Sequence, residues 1–281
     1  MKLKLMYITN DLDVALVAEK YGVDRIWIDL ETLGKEERQK GMDTVKSDHC
    51  IEDIARIKPH LSSAEMLVRV NPWNSDSQME IDSVIEAGAD IIMLPMWKCL
   101  KDVQNFIHAV NGRVQTTLLL ETKEAVDCID EVLEMGGFNE IHIGLNDLHL
   151  SYGETFMFQP LADGTVERLC EKFKAYGIPY GFGGIAKIGD GLLPAEKIIT
   201  EHYRLGSTRA ILSRTFCDNA VIQNIREIDR VFSINMQALI DFECSLSRIT
   251  HEELIKNQKE VQSNVNEIVH RIEEKRHAKT K

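Results

Sequence analysis

Gly88-Ala89-Asp90-Ile91-Ile92-Met93-Leu94-Pro95 reads as a glycine that ends a helix, a short connection, and a strand apolar at every position. A strand that alternates apolar and polar residues has one wet face. A strand apolar throughout is buried on both, as in a parallel sheet. Just upstream, Ser77 and Glu80 have the spacing of a capping box that opens a helix over Ile81 to Ala87. Outward from this unit the pattern recurs. Gly22 precedes Arg25-Ile26-Trp27-Ile28-Asp29, Gly112 precedes Val114 to Leu120, and Gly137 precedes Ile141-His142-Ile143-Gly144. Gly177 precedes Ile178 to Phe182, and Gly206 precedes Ala210-Ile211-Leu212. Leu3 to Ile8, followed by Asn10 or Asp11 as a helix cap, and Met66 to Val70 bring the strands to eight. Eight alternating units predict an α/β protein, a (β/α)8 TIM barrel, ahead of an open doubly wound sheet.

The barrel is expected to occupy 1–217, through strand eight, and C-terminal helices 218–281. Val221 to Ser245 begins with the eighth barrel helix. Thr250 and Glu253 then form a second capping-box pattern, opening an extension with Leu254, Val261, Val265, Ile268 and Ile272 at three–four spacing. So narrow a stripe packs on its own barrel or on a partner subunit. The second predicts a homo-oligomer, a trimer or hexamer, with this segment at a contact.

The net charge of −12 disfavours nucleic acid and an anionic membrane as partners, while leaving room for a small anionic substrate at a locally basic site. No run approaches the roughly 18 apolar residues that span a bilayer. The start has only a short apolar stretch without a small-residue cleavage site, so it reads as a first strand. Cys50, Cys99, Cys128, Cys170, Cys217 and Cys244 are scattered without a CxxC pair, which predicts unpaired thiols and a cytoplasmic protein.

In such barrels the chemistry sits at the C-terminal ends of the strands. Those ends read Asp29-Leu30-Glu31, Arg69-Val70-Asn71, Leu94-Pro95, Leu120-Glu121-Thr122, Leu145-Asn146-Asp147, Gly183-Gly184 and Ser213-Arg214. Glu121 and Asp147, on adjacent strands, would repel in a half-buried mouth unless a proton or a cation intervenes. A hard divalent ion, Mg²⁺ or Mn²⁺, suits such a pair; a structural pair bonded to Thr122 or a loop amide is the other reading. Arg69 can bind a carboxylate or steady a developing oxyanion, or form a buried salt bridge with Asp29 or Glu31. Asp29 and Glu31 are themselves candidate substrate-binding residues, as are Gly183 and Gly184 through their backbone amides, unless those glycines are only steric. His149 either lines the mouth or is inert, and Trp73 and Trp97 either wall the pocket or pack beneath it.

These residues carry a family resemblance. Asp24-Arg25-Ile26-Trp27-Ile28-Asp29-Leu30-Glu31, Val68-Arg69-Val70-Asn71-Pro72, Gly88 to Pro95, Leu118-Leu119-Leu120-Glu121-Thr122 and Ile143-Gly144-Leu145-Asn146-Asp147-Leu148 resemble the HpcH/HpaI aldolase and citrate lyase β-subunit family. Its members are pyruvate-handling, metal-dependent barrels. The likeness runs over most of residues 20 to 215 and keeps the motif order. It implies that Glu121 and Asp147 ligate the metal and that Arg69 binds the keto oxygen of a 2-oxo acid. The chain departs from the aldolase branch after strand two. Glu31 is followed by Thr32-Leu33-Gly34, and the nearest histidine is His49, beyond a polar insertion from Lys35 to Ser47. His49 either swings into the catalytic place with Asp48 orienting its ring, or caps the helix that follows.

The resulting expectation is a metal-dependent class II aldolase or lyase that cleaves or forms a C–C bond of a 2-oxo (hydroxy) acid through a pyruvate-like enolate. His49, or a water on the metal, would be the base. A citrate-lyase-like acyl-CoA lyase and a non-catalytic 2-oxo-acid-binding barrel are the alternatives.

Overall fold

A computed structural model describes residues 2–34, 48–218, 221–222 and 224–279. The polar insertion from Lys35 to Ser47 lies outside the described residues. Among the described residues eight strands form: β1 (Lys4–Ile8), β2 (Arg25–Asp29), β3 (Glu65–Arg69), β4 (Ile91–Leu94), β5 (Gln115–Leu120), β6 (Glu140–Ile143), β7 (Tyr180–Ile185) and β8 (Arg209–Leu212). They join in chain order as a closed barrel, and the pairings β1–β2, β2–β3, β3–β4, β4–β5 and β7–β8 are parallel. The (β/α)8 TIM barrel is therefore the fold, with C-terminal helices behind it. Most boundaries fall within a residue of those read from sequence. β7 departs further: it continues through Gly183, whose φ of +53° and the register slip between Gly181 and Gly184 let the glycines stay in the strand.

Two compact units make up the chain. One comprises Leu5–Leu120 and Glu124–Ile141; the other Met1–Lys4, Glu121–Lys123 and His142–Lys281.

In the first, register fixes which side chains share the barrel interior. Arg25 stands opposite Glu65, Trp27 opposite Leu67, and Asp29 opposite Arg69. Arg25 is buried, its Nη2 donating to Glu140 Oε2 at 3.0 Å and its Nε to Glu65 Oε2 at 3.0 Å, while Nη1 meets Glu140 Oε1. Thr117 Oγ1 donates to Glu140 Oε1 at 2.7 Å. Buried charge is tolerable only when paired in this way. Since side chains two apart on a strand point the same way, Trp27 and then Asp29 follow Arg25 along that face, toward the C-terminal end. Asp11 caps the helix Leu12–Lys20, accepting from Val14 N–H at 3.0 Å. The capping box expected of Ser77 and Glu80 does not form. Asp76 is the cap residue of the helix Ser77–Glu86, Ser77 Oγ accepts from Asn74 N–H, and Glu80 bonds elsewhere.

In the second unit the helix Ala195–Leu205 ends on Gly206 at φ +75°, where a side chain would be strained, and the glycine N–H caps His202 O. The helix His251–Lys279 opens with the expected box: Thr250 N–H and hydroxyl donate to Glu253, and Glu253 N–H returns to Thr250 Oγ1. Part of its stripe packs within this chain. Val261, Val265 and Ile268 are buried within this chain, on the helices Ala195–Leu205 and Gln159–Ala162. Asn257 Nδ2 donates to Lys197 O at 3.0 Å and to Glu201 Oε1 at 2.9 Å, and Lys197 pairs with Glu260. Leu254 and Ile272, at the two ends of the stripe, are only half-buried. Among the described residues no helix is long and apolar enough to cross a membrane. None of the six cysteines is in a disulfide.

Candidate active site

The first unit holds a charged cluster where β2 and β3 end. Arg69 Nε donates to Asp29 Oδ1 and Nη2 to Asp29 Oδ2, each at 2.8 Å. Its Nη1 lies 3.2 Å from Glu31 Oε2, and Glu31 N–H turns back to Asp29 Oδ1 at 3.3 Å. Asp29 and Glu31 are each 3% exposed, and the Arg69 side chain 12%. The guanidinium centre also sits 5.3 Å from the Trp27 ring, within cation–π range. The expected salt bridge thus exists, and to both carboxylates at once. Three of the five N–H bonds of a guanidinium serve it, which fixes the plane of the group. Asp29 and Glu31 act here as the residues that hold Arg69.

His49 belongs to the same cluster. Asp29 N–H donates to His49 Nδ1 at 3.0 Å, so the ring docks beside the last residue of β2. It does not cap the helix that follows. The cap residue of the helix Ile51–Ile57 is Cys50, whose N–H donates to Asp53 Oδ2 at 2.9 Å. The ring is oriented by the Asp29 amide, and Asp48 is exposed.

Sequence reading missed what fixes the loop after β2. Asn71 Oδ1 accepts from Thr32 N–H at 2.9 Å and Leu33 N–H at 3.0 Å, and Asn71 Nδ2 donates to Glu80 at 2.8 Å. Burial raises the Glu80 carboxyl pKa, and the Asn71 bonds pull it the other way. No local pattern announces this, because Thr32, Asn71 and Glu80 come from three separate segments.

The second unit carries the carboxylate pair. Glu121 is 2% exposed, one residue past β5. Asp147 is half-buried in the first turn of the helix Leu145–Ser151, which follows β6. Lys123 N–H donates to Ser151 Oγ at 2.8 Å, tying the chain after Glu121 to the end of that helix. Among the described residues no three His, Cys, Asp or Glu side chains cluster as a metal cage. A pair of hard oxygen donors fits Mg²⁺ or Mn²⁺, which take one or two carboxylates and fill the remaining positions with water and substrate. His149 is buried, its Nδ1 3.2 Å from Leu145 O, and burial lowers its pKa. Gly183 has a packing reason to be small. A Cβ on Gly183 would lie 2.8 Å from Leu145 Cδ1, and Gly183 O accepts from His142 Nε2 at 3.1 Å; at Gly184 the space is ordinary. Trp97 is buried and Trp73 half-buried.

The sequence profile of the HpcH/HpaI aldolase/citrate lyase family matches residues 5–157, just over half of the chain. The chain belongs to that family. The match takes in Asp29, Glu31, His49, Arg69, Glu121 and Asp147 and stops short of Gly183 and Gly184. Members of the HpcH/HpaI family are aldolases and lyases acting on small molecules, and they generally depend on a divalent metal. Solved structures share the fold at low identity. An HpcH/HpaI aldolase from Desulfitobacterium hafniense DCB-2 is 13% identical with a TM-score of 0.56, over 75% of this chain and 86% of that one. An HpcH/HpaI aldolase/citrate lyase family protein from Burkholderia cenocepacia J2315 is 16% identical with a TM-score of 0.59, covering 81% and 95%. The citrate synthase SbnG is 16% identical with a TM-score of 0.55, covering 75% and 86%. No curated protein matches the chain in sequence.

Proposed function

We propose that this chain is a lyase that breaks or makes a C–C bond of a 2-oxo acid through a pyruvate-like enolate, with Mg²⁺ or Mn²⁺ as cofactor. The observation that carries this reading is Arg69, a nearly buried cation held rigidly by Asp29 and Glu31 at the ends of β2 and β3. A preorganised guanidinium stabilises negative charge without having to reorient as it develops. Glu121 and Asp147 would hold the metal, which when bound supplies a Lewis acid for the substrate's oxygens.

Written in the cleavage direction, the electrons balance as follows. A base takes the hydroxyl proton of the departing fragment, and the O–H pair becomes the new C=O bond. The C–C pair moves onto the 2-oxo fragment as an enolate. Arg69 stabilises the enolate oxygen, and a proton added at C3 gives the 2-oxo acid. Glu31 sets the third contact of Arg69 and Asp29 the other two, so both act through the arginine.

Deuterium exchange at C3 of pyruvate in D₂O tests the reading, because exchange requires the enolate. Exchange that needs Mn²⁺ or Mg²⁺ and stops with EDTA is expected. Pyruvate binding without exchange would overturn lyase chemistry in favour of a binding protein.

A further inference from the structure

Two cysteines stand at the N-terminal caps of neighbouring helices. Cys99 is the cap residue of the helix Leu100–Val110, which follows β4, and Cys128 that of the helix Ile129–Met135, which follows β5. Both belong to the first unit, where β4 and β5 are paired and the two helices pack on each other. The Cys128 thiol lies 3.8 Å from Lys98 O, the carbonyl of the peptide that leads into Cys99. A second tie joins the same segments, Lys98 Nζ standing 3.6 Å from Glu124 Oε1. The thiols feel each other: burial, and after it the charge of Cys99, raises the pKa of Cys128.

A trans peptide puts a carbonyl oxygen within about 3 Å of the next Cα. Added to the 3.8 Å contact, this places the Cys128 sulfur within about 7 Å of the Cys99 Cα. Disulfides need Cα atoms about 4.4–6.8 Å apart, so rotation of the exposed Cys99 side chain and a small closing of the two segments suffice. The other contact of Cys128, 3.8 Å to Ala125 O, is a weak thiol donation that leaves the sulfur available.

We propose that Cys99 and Cys128 form a thiol pair that exchanges with low-molecular-weight disulfides, oxidised glutathione being representative, and closes to an intramolecular bridge between the segments after β4 and β5. Cys99 is exposed and Cys128 half-buried, so Cys99 reacts first. Its thiolate attacks one sulfur of the small disulfide, breaking that S–S bond and releasing one small thiolate. The Cys128 thiolate then attacks the Cys99 sulfur of the mixed disulfide, forming the bridge and releasing the second small thiolate. The two cysteine protons pass through solvent to these leaving groups. Two cysteines are thus oxidised and one small disulfide is reduced to two thiols; excess small thiol runs the steps backwards. The exchange uses neither the metal nor the 2-oxo acid of the proposed reaction.

The test incubates the full chain with oxidised glutathione, quenches by alkylation, and reads intact mass and peptide maps prepared without reductant. Wild type should give a Cys99–Cys128 bridge within one chain, lighter by two hydrogen atoms, with little glutathione left on Cys99. In Cys128→Ser nothing resolves the mixed disulfide, so Cys99 should carry at least ~10-fold more glutathione than in wild type, the worth of a resolving thiol held at high effective concentration. Equal glutathione on Cys99 in the two proteins, or a bridge from Cys99 to any other cysteine, would overturn the proposal. Should the serine variant fail to fold, the wild-type map alone decides: glutathione on Cys99 beside an unoxidised Cys128 refutes the pairing.

Discussion

Arg69 grips Asp29 through two parallel bonds of 2.8 Å, Nε to Oδ1 and Nη2 to Oδ2, while Nη1 reaches Glu31. One cation thus answers two nearly buried carboxylates. Replacing it therefore affects stability as well as chemistry. Arg69→Met should cost about 3–5 kcal/mol, the usual cost of stranding buried charge. Arg69→Lys keeps the charge but loses the fork, so it should show a smaller drop in Tm together with a fall in kcat for pyruvate exchange. Thermal melts and exchange rates measured side by side check both. Normal kcat in a folded Arg69→Lys protein would assign the arginine to structure alone.

Glu121→Gln and Asp147→Asn each remove one anionic oxygen donor. Each should reduce Mn²⁺ affinity and exchange activity by at least ~10²-fold, on the scale of losing several kcal/mol of Lewis-acid stabilisation. Circular dichroism should stay native. Full wild-type activity in EDTA would refute the metal assignment directly.

Truncation after Ile249 removes the helix His251–Lys279 and uncovers the face on which Val261, Val265 and Ile268 are buried. Each such side chain left in water costs on the order of 1 kcal/mol or more. Glu201, 1% exposed, also loses its bond from Asn257. The truncated protein should melt well below the full chain or aggregate. If it keeps the wild-type Tm and merely changes its mass in light scattering, the helix belongs to an interface.

Glu154 gives a pH dependence. Burial, reinforced by the nearby Asp163, pushes its carboxyl up to about 7 from an ordinary 4.5, and its Oε2 is buried without a hydrogen-bond partner. The folded state therefore binds this proton more tightly than the unfolded state does. The stabilisation is fully present below pH 4.5 and is lost as pH rises through about 7. Glu154→Gln should remove this part of the decline in Tm across that range. A variant with the same pH–Tm slope as wild type would contradict it.

The sequence determined the fold and the order of its chemistry. Helix, glycine and all-apolar strand recur locally, so periodicity alone gave eight strands, and the barrel rule marked Asp29, Glu31, Arg69, Glu121 and Asp147 as strand-end residues. The capping box at Thr250 and Glu253 was equally legible, since both halves lie within four residues. Tertiary structure decided the pairings. Arg69 with both carboxylates, His49 on the Asp29 amide, and Asn71 between Thr32 and Glu80 join groups 20 or more residues apart, except for the Asn71–Glu80 step of nine. Ser77 and Glu80 had the right spacing for a box, but a better partner for Glu80 came from the end of β3. The C-terminal stripe shows the same division. Its apolar spacing was readable, but what covers it was not: that depends on which faces of the helices Ala195–Leu205 and Gln159–Ala162 the chain turns toward it, and a hydrophobic stripe carries no record of its partner.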